Sequence, residues 1–207
     1  MPTRSRRVRE ATGRPPTSAE LARRQEILDA TIAIIGRGGW AACTLQSVAD
    51  EIGVTKAAVI YHVGTKAGLV EQAYSFVIQA FTEYVHQRIE EASDPLDAIV
   101  RFAHAHLDYM SAHRDHARVM AEALDETTAT GIDDHPTTPA RAAPAIAMID
   151  AARAAGLGDA SRPEGSRVIA TVLNGMVDSA VGAWLIDPEF DLESAGRLLT
   201  DYIRAAV

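Results

Sequence analysis

The sequence contains a single cysteine, Cys43, so no disulfide can form within the chain, and we expect the protein to work in a reducing compartment. Prolines number only 9 and glycines 14 among 207 residues, and aromatic residues make up 5%. A hydrophobic content of 47% is enough to form a core, which excludes an intrinsically disordered chain. Alanine-rich stretches favour helix, and no strand pattern is present. The composition therefore predicts an all-α fold.

Lysine is also scarce, since 18 of the 20 basic residues are arginine and the two lysines are Lys56 and Lys66. Residues 1–66 hold 10 of the 20 basic residues but only 6 of the 28 acidic ones, although the formal net charge of the chain is −8. A basic N-terminal part on an acidic remainder concentrates the attraction for a polyanion at one end of the molecule.

No apolar segment follows the N-terminal arginines, so we expect no secretory signal and a cytoplasmic location. Residues 168–186 are long enough to resemble a membrane span, but they include Asn174, Asp178 and several small residues. We therefore interpret this segment as a buried helix at a protein interface, and we expect no membrane partner.

Capping residues and helix breakers divide the chain into an N-terminal arm and about nine helices. Residues 1–16 contain five arginines and Pro15-Pro16 without an apolar period, which predicts a flexible basic arm. Thr17 and Glu20 have the spacing of a capping box, and the helix that they begin is predicted to end at about Arg37, before two glycines. The other helices are predicted over residues 45–52, 56–62, 65–91, 96–113, 115–127, 139–155, 164–186 and 191–206, with a loop at 128–139.

The two short helices joined by Gly53 have the pattern of a helix-turn-helix. Ala49 is small enough to let the helices cross, and Gly53 tolerates the positive φ of the turn. Val54 and Val59 supply the apolar contacts that hold the second helix on its neighbours. This pattern predicts a three-helix head that places its last helix in the major groove of DNA.

Residues 44–66, which read TLQSVADEIGVTKAAVIYHVGTK, resemble the DNA-binding signature of TetR/AcrR-type repressors. The ending from Tyr61 to Lys66 is the most specific part of this resemblance. The chain length, the helix count and the junction from Trp184 to Leu192 also suit that family. The resemblance implies a helix-turn-helix domain over residues 17–64 and an effector-binding and dimerisation domain over residues 65–207.

The same resemblance implies which residues contact DNA. Phosphate contacts are implied for Thr44, Tyr61, His62 and Lys66, base or backbone contacts for Thr55, Lys56, Ala57 and Ala58, and a place in the same set for Thr65. Ile60 stands where the family usually has tyrosine, which removes one hydroxyl contact to phosphate. Because Ala57 and Ala58 offer only methyl groups, we expect them to read thymine methyls.

The predicted helix over residues 96–113 is apolar on two faces, which is typical of a central helix. The second of these faces, which carries Phe102, His106 and Tyr109, either fills the core or, as the resemblance implies for this helix, lines an effector cavity. The residues expected at a small-molecule effector pocket, with no cofactor, are Phe102, His106, Tyr109, Met110, Met120, Met148, Asn174 and Met176.

Small residues on the predicted helix over 164–186 would let another helix approach closely. Together with the last helix, they predict a four-helix interface between two copies of the chain, formed by Gly175, Ser179, Gly182, Ala183, Leu192, Ala195, Leu199 and Tyr202. The alternative is a monomer in which both helices pack on their own core. The resemblance to dimeric repressors favours the homodimer.

These observations predict a ligand-responsive regulator, a repressor by family analogy, which binds a palindromic DNA operator as a homodimer and is released by a small-molecule effector. One alternative is a metal-responsive regulator that uses His104, His106, His113 and His116. His104 and His106 project from different sides of one helix, however, and no third ligand accompanies the other two histidines. The remaining alternative, a small helical enzyme, lacks a Gly-rich phosphate loop, a nucleophile elbow and an HExxH motif, so we expect no catalytic or metal site.

Overall fold

The computed structural model describes residues 17–125, 139–158 and 164–207, and within these ranges it contains nine α-helices and no strand. In chain order the helices are α1 (Ser18–Ala42), α2 (Leu45–Glu51), α3 (Lys56–Val63), α4 (Lys66–Glu90), α5 (Pro95–Ala112), α6 (Arg114–Asp125), α7 (Pro139–Ala154), α8 (Ser166–Ile186) and α9 (Leu192–Ala206). The predicted all-α class is confirmed. The predicted arm over residues 1–16 and nearly all of the predicted loop over 128–139 lie outside the described residues.

Four threonines begin the four helices of the N-terminal half. The side chains of Thr17, Thr44, Thr55 and Thr65 each accept a hydrogen bond from the amide three residues further on, at 2.9 to 3.3 Å. At Thr17 the carboxylate of Glu20 also accepts from the backbone N–H of the threonine at 2.7 Å, which completes the predicted capping box. The starts of these helices are therefore set by residues adjacent in the sequence.

The first helix is predicted to end at about Arg37, before Gly38 and Gly39. The helical dihedral angles of α1 are interrupted at Gly39, where φ is 71° and ψ is −179°, and a short helical stretch after this kink ends at Ala42. Trp40, directly after the kink, is only 2% exposed. The burial of this indole anchors the stretch after the kink in the core.

The helices α4 to α9 form the body of the molecule, and α1 to α3 form the head. α5 lies at the centre of the body and packs against α4, α6, α7, α8 and α9. Its fully buried side chains include Ile99, Ala103 and Met110. A helix with neighbours on all sides needs apolar residues around most of its circumference, which explains the two apolar faces in the sequence.

α8 is the one helix within the described residues that is long and apolar enough to cross a membrane by length and composition alone, with a mean hydropathy of 1.5. It packs against α5, α6, α7 and α9, and it contributes Asn174, which is 6% exposed, to the interior. These contacts make α8 part of the helical body.

Candidate nucleic-acid interface and body cavity

The turn between α2 and α3 fixes the position of α3. Gly53 has a φ of 67°, in the left-handed region that favours glycine, and the N–H of Val54 donates to the carbonyl oxygen of Ala49 at 2.9 Å. Val48, Ala49 and Val59 have no exposed surface. The turn and this small core bury the side of α3 that carries Val59, so the other side of the helix is exposed to solvent.

The exposed side of α3 presents a cation, two apolar side chains and a phenol. Lys56 and Ala57 are exposed at its amino end, followed by Ile60, which is 41% exposed, and Tyr61, which is 76% exposed. The rings of Tyr61 and His62 meet edge to face, with centroids 5.1 Å apart. These are the residue types that contact phosphates and thymine methyls in a major groove.

Two predicted DNA contacts are less accessible than the others. Ala58 and His62 are half-buried, on the edge of α3 that turns toward the rest of the head. Burial lowers the pKa of His62 below 6.5, nearby Arg24 lowers it further, and Glu20 partly opposes the shift. At neutral pH this imidazole is therefore uncharged, and it can offer a phosphate an N–H donor but not a positive charge.

The polar groups around α3 already have partners within the head. The hydroxyl oxygens of Thr44, Thr55 and Thr65 cap the helices that they precede. Lys66, which is exposed at the start of α4, donates from Nζ to the carbonyl oxygen of Trp40 at 2.9 Å. An ammonium group has three donors, so this bond leaves two that can reach a phosphate.

A small polar cavity lies at the centre of the body, bounded by α5, α6, α7 and α8. Its volume is about 20 Å³, and it is lined by His106, Met110, Ala117, Met120, Ala121, Arg141, Asp178 and Val181. Arg141 of α7 and Asp178 of α8 form an ion pair at 2.5 Å, with side chains 13% and 15% exposed. Burial, followed by the nearby Arg141 charge, lowers the pKa of His106 to about 3, so this ring is neutral at physiological pH.

Three of the residues predicted for the effector pocket, His106, Met110 and Met120, line this cavity. Phe102 and Tyr109 stand beside it in an aromatic cluster, in which the ring of Phe81 lies 4.6 Å from His106 and 5.5 Å from Tyr109. Asn174 is buried and Met148 half-buried, but neither lines the cavity, and Met176 lies in a groove on the outer side of α8.

Sequence reasoning missed the Arg141–Asp178 pair at this cavity. The aspartate stands in an otherwise apolar helix, and such a residue signals a buried partner. The identity of the partner depends on how α7 packs against α8, which the local sequence does not reveal.

The four histidines considered for a metal site lie in three different places. His104 Nε2 is 2.8 Å from the hydroxyl of Thr200, and His106 lies at the cavity. His113 and His116 stack with centroids 5.3 Å apart, and the hydroxyl of Tyr109 bonds His116 Nδ1 at 2.7 Å. Within the described ranges, no three histidine, cysteine or acidic side chains are grouped so that they could hold a metal ion.

An apolar groove runs between α8 and α9 on the outside of the body, with a volume of about 680 Å³. It is lined by Val172, Gly175, Met176, Ser179, Ala180, Ala183, Phe190, Ala195, Leu198 and Leu199. Leu198 is 64% exposed and Val172 is 44% exposed. We call this surface the α8–α9 groove.

Five of the residues predicted for a dimer interface line the α8–α9 groove: Gly175, Ser179, Ala183, Ala195 and Leu199. Leu199 is 2% exposed and belongs mainly to the core of its own subunit. Gly182, Leu192 and Tyr202 are half-buried outside the lining. The other residues that line the groove were not predicted for the interface: Val172, Met176, Ala180, Phe190 and Leu198.

Residues 27–73 match the sequence profile described as bacterial regulatory proteins, tetR family. The match spans the second half of α1, both helices of the turn motif and the start of α4. The similarity to the tetR family covers these residues of the head and of the start of α4. No curated protein sequence matches it significantly.

Solved structures of three bacterial regulators share the fold over 87% to 89% of this chain. The fatty acid degradation regulator FadR from Bacillus halodurans superposes with a TM-score of 0.75 at 15% identity, over 89% of this chain and 99% of that one. FadR from Bacillus subtilis, solved in complex with stearoyl-CoA, gives 0.75 at 14% identity over 89% and 99% of the two chains. The TetR-family regulator PfmR from Thermus thermophilus gives 0.66 at 18% identity over 87% and 98%.

Proposed function

We propose that this chain belongs to the TetR family and is a cytoplasmic transcriptional repressor. It binds a palindromic DNA operator as a homodimer and releases it when a small molecule binds in the body. In this proposal residues 17–64 bind DNA, and residues 65–207 dimerise and bind the effector. The observation that carries the proposal is the exposed face of α3, where Lys56, Ala57 and Tyr61 are accessible to solvent. Repression rather than activation is taken from family analogy.

The α8–α9 groove supports the homodimer. Exposed apolar surface of this extent is unfavourable in water, and a two-fold axis through the groove would bury it against the same surface of a second copy. A dimer with two recognition helices about 34–36 Å apart would read successive major grooves of a palindromic site.

The central cavity supports the effector. In its present form it has room for about one water molecule, so a ligand would enter by moving α6 or α7 away from α5. The Bacillus subtilis FadR, which has the same fold, was solved with stearoyl-CoA. Such a movement releases DNA only if the effector binds the moved arrangement more tightly than the other.

Selection of bound fragments from random duplex DNA tests this proposal. We expect a palindromic consensus, binding by two protein chains per site, and an affinity that falls steeply with salt. A screen of small molecules by thermal shift then identifies ligands, and a true effector must also lower operator affinity. A protein that ignores duplex DNA at low ionic strength would contradict the proposed function.

A further inference from the structure

The backbone of Trp40 joins the head to the body. Its N–H donates to Glu122 Oε2 on α6 at 3.1 Å, and its carbonyl oxygen accepts from Lys66 Nζ, at the first residue of α4, at 2.9 Å. Its side chain is 2% exposed. A single residue therefore ties the carboxyl end of α1 to α6 and to the start of α4.

Two glycines of α1 make room for carboxylates of α6. A Cβ atom at Gly36 would lie 2.1 Å from Asp115 Oδ1, and one at Gly39 would lie 2.7 Å from Glu122 Oε1. The φ of 71° at Gly39 also favours glycine on its own. Gly36 and Gly39 therefore leave the space that these carboxylates of α6 occupy, and only Gly39 is one of the two glycines that the sequence indicates as a helix end.

α6 lies between this contact and the central cavity. Met120 and Ala121 line the cavity, whereas Glu122, the next residue, bonds to α1. Arg118 Nε donates to Glu122 Oε1 at 2.9 Å and holds the carboxylate in place. Because packed helices shift as rigid elements, a molecule that displaces α6 from the cavity side also displaces Glu122 relative to Trp40.

We propose that Glu122 is a positioning residue, which sets the angle between head and body through the N–H of Trp40 and so sets the distance between the two recognition helices of the dimer. This inference rests on the proposed function, because that distance matters only if a dimer reads two half-sites. A charge-assisted hydrogen bond between a carboxylate and a backbone amide is strong enough to hold such an angle.

The test measures how the spacing of the half-sites affects affinity. The operator obtained by selection is remade with its half-sites moved closer or further apart by one and two base pairs, and each affinity is divided by that for a single half-site. We expect the wild-type protein to prefer the native spacing by at least about tenfold. We expect Glu122→Ala to reduce this preference to about threefold or less, while single half-site affinity is retained. A merely structural role would change all of these affinities together.

Two further variants make the test specific. Glu122→Gln keeps an acceptor oxygen at the same place and is expected to retain most of the spacing preference. Asp108→Ala removes an exposed carboxylate from α5 and is expected to behave as the wild type. A wild-type spacing preference in Glu122→Ala, or an equal loss in Asp108→Ala, would overturn the positioning role.

Hydrogen exchange of the Trp40 amide in the free, full-length protein gives a readout that needs no DNA. The wild-type amide is expected to be protected, and Glu122→Ala is expected to speed its exchange at least about tenfold while core amides such as that of Ile99 keep their rates. If Glu122→Ala does not fold, the exchange rate of the Trp40 amide in the wild-type protein still tests the inference. Fast exchange of that amide in the wild type would overturn it. Absence of any selected duplex would overturn the proposed function and the positioning role together, whereas binding with an unaltered spacing preference would overturn the positioning role alone.

Discussion

Several residues of the head serve its own backbone and also lie where DNA is expected. Thr44, Thr55 and Thr65 cap helices, and Lys66 bonds the carbonyl of Trp40. A substitution at any of these residues therefore changes the stability of the head as well as the affinity for DNA. The salt dependence of binding distinguishes the two effects, because only a phosphate contact contributes to it.

Lys66→Ala is expected to weaken binding to all DNA sequences, because one phosphate contact is lost. The slope of the logarithm of the binding constant against the logarithm of the salt concentration should become less steep by about one unit. The free energy of unfolding should also fall by about 1 kcal/mol, because the Trp40 carbonyl loses its donor. Fluorescence anisotropy over a salt series and urea unfolding measure the two effects. An unchanged slope with lowered stability would make Lys66 a structural residue only.

Tyr61→Ala is expected to lower operator affinity about tenfold and to leave the melting temperature unchanged, since the side chain is 76% exposed. Tyr61→Phe is the matched variant, because it keeps the ring and removes only the hydroxyl group. An affinity loss shared by both variants assigns the contact to the hydroxyl. A large fall in melting temperature for Tyr61→Ala would instead make Tyr61 part of the core.

The buried His106 predicts a pH dependence of stability. Its pKa is about 3 in the folded protein against about 6.5 when unfolded, so between these values the unfolded chain binds a proton that the folded chain does not. Stability is therefore lost as the pH falls below about 6.5, by up to about 1.4 kcal/mol per pH unit. Urea unfolding between pH 7 and pH 5 measures the free energy of unfolding as a function of pH. For His106→Leu this free energy should depend less steeply on pH, by the equivalent of about one bound proton. The exposed His86, changed to Leu, should keep the wild-type dependence.

At the scale of helices, the packing of α1 on α6 depends on the absence of a side chain at Gly36. Gly36→Ala is expected to lower the free energy of unfolding by about 1–3 kcal/mol, because the new methyl group would overlap the carboxylate of Asp115. The double variant with Asp115→Ala should regain part of that loss. Gly165→Ala, where a Cβ meets nothing within 4 Å, is the control. Because Gly165 is the N-cap residue of α8, this variant should lower the free energy of unfolding by less than about 1 kcal/mol.

The sequence predicted the elements of the head well because their signals are local. The caps at Thr17, Thr44, Thr55 and Thr65 and the turn at Gly53 depend on atoms three or four residues away. The role of the glycines near residue 39 could not be predicted in this way, since their partners Asp115 and Glu122 come from a distant helix. Local rules therefore indicated the interruption at Gly39, whereas its contact with α6 depends on tertiary packing.

The contrast between local signals and tertiary contacts also explains which residues of the candidate site could be predicted from the sequence. The resemblance to the TetR/AcrR-type signature implies the DNA contacts of α3. Lys56, Ala57 and Tyr61 of that set lie on the exposed face, whereas Ala58 and His62 are half-buried. The cavity needs α5, α6, α7 and α8 together, and only the residues on the central helix and one methionine of α6 were placed there in advance. Arg141 was missed because nothing near it in the sequence indicates that Asp178 is opposite.

At the scale of the whole molecule, the α8–α9 groove predicts self-association. Leu198→Glu is expected to convert the dimer into a folded monomer, because a carboxylate would be buried in an apolar interface without a partner. Analytical ultracentrifugation measures the mass, and circular dichroism checks the helix content. Leu157→Glu makes the same change at an exposed leucine outside the groove and should leave the mass unaltered. A dimer that persists in Leu198→Glu would place the interface elsewhere.

The scarcity of lysine provides a chemical probe of the exposed face of α3. Only two side chains of the chain carry a primary amine, and both lie in or beside the turn motif. Lys56 is exposed on α3, whereas the amine of Lys66 is held by the Trp40 carbonyl. A reagent that acylates amines should therefore modify Lys56 before Lys66, and mass spectrometry of the modified peptides would report whether DNA covers this face, without any engineered label.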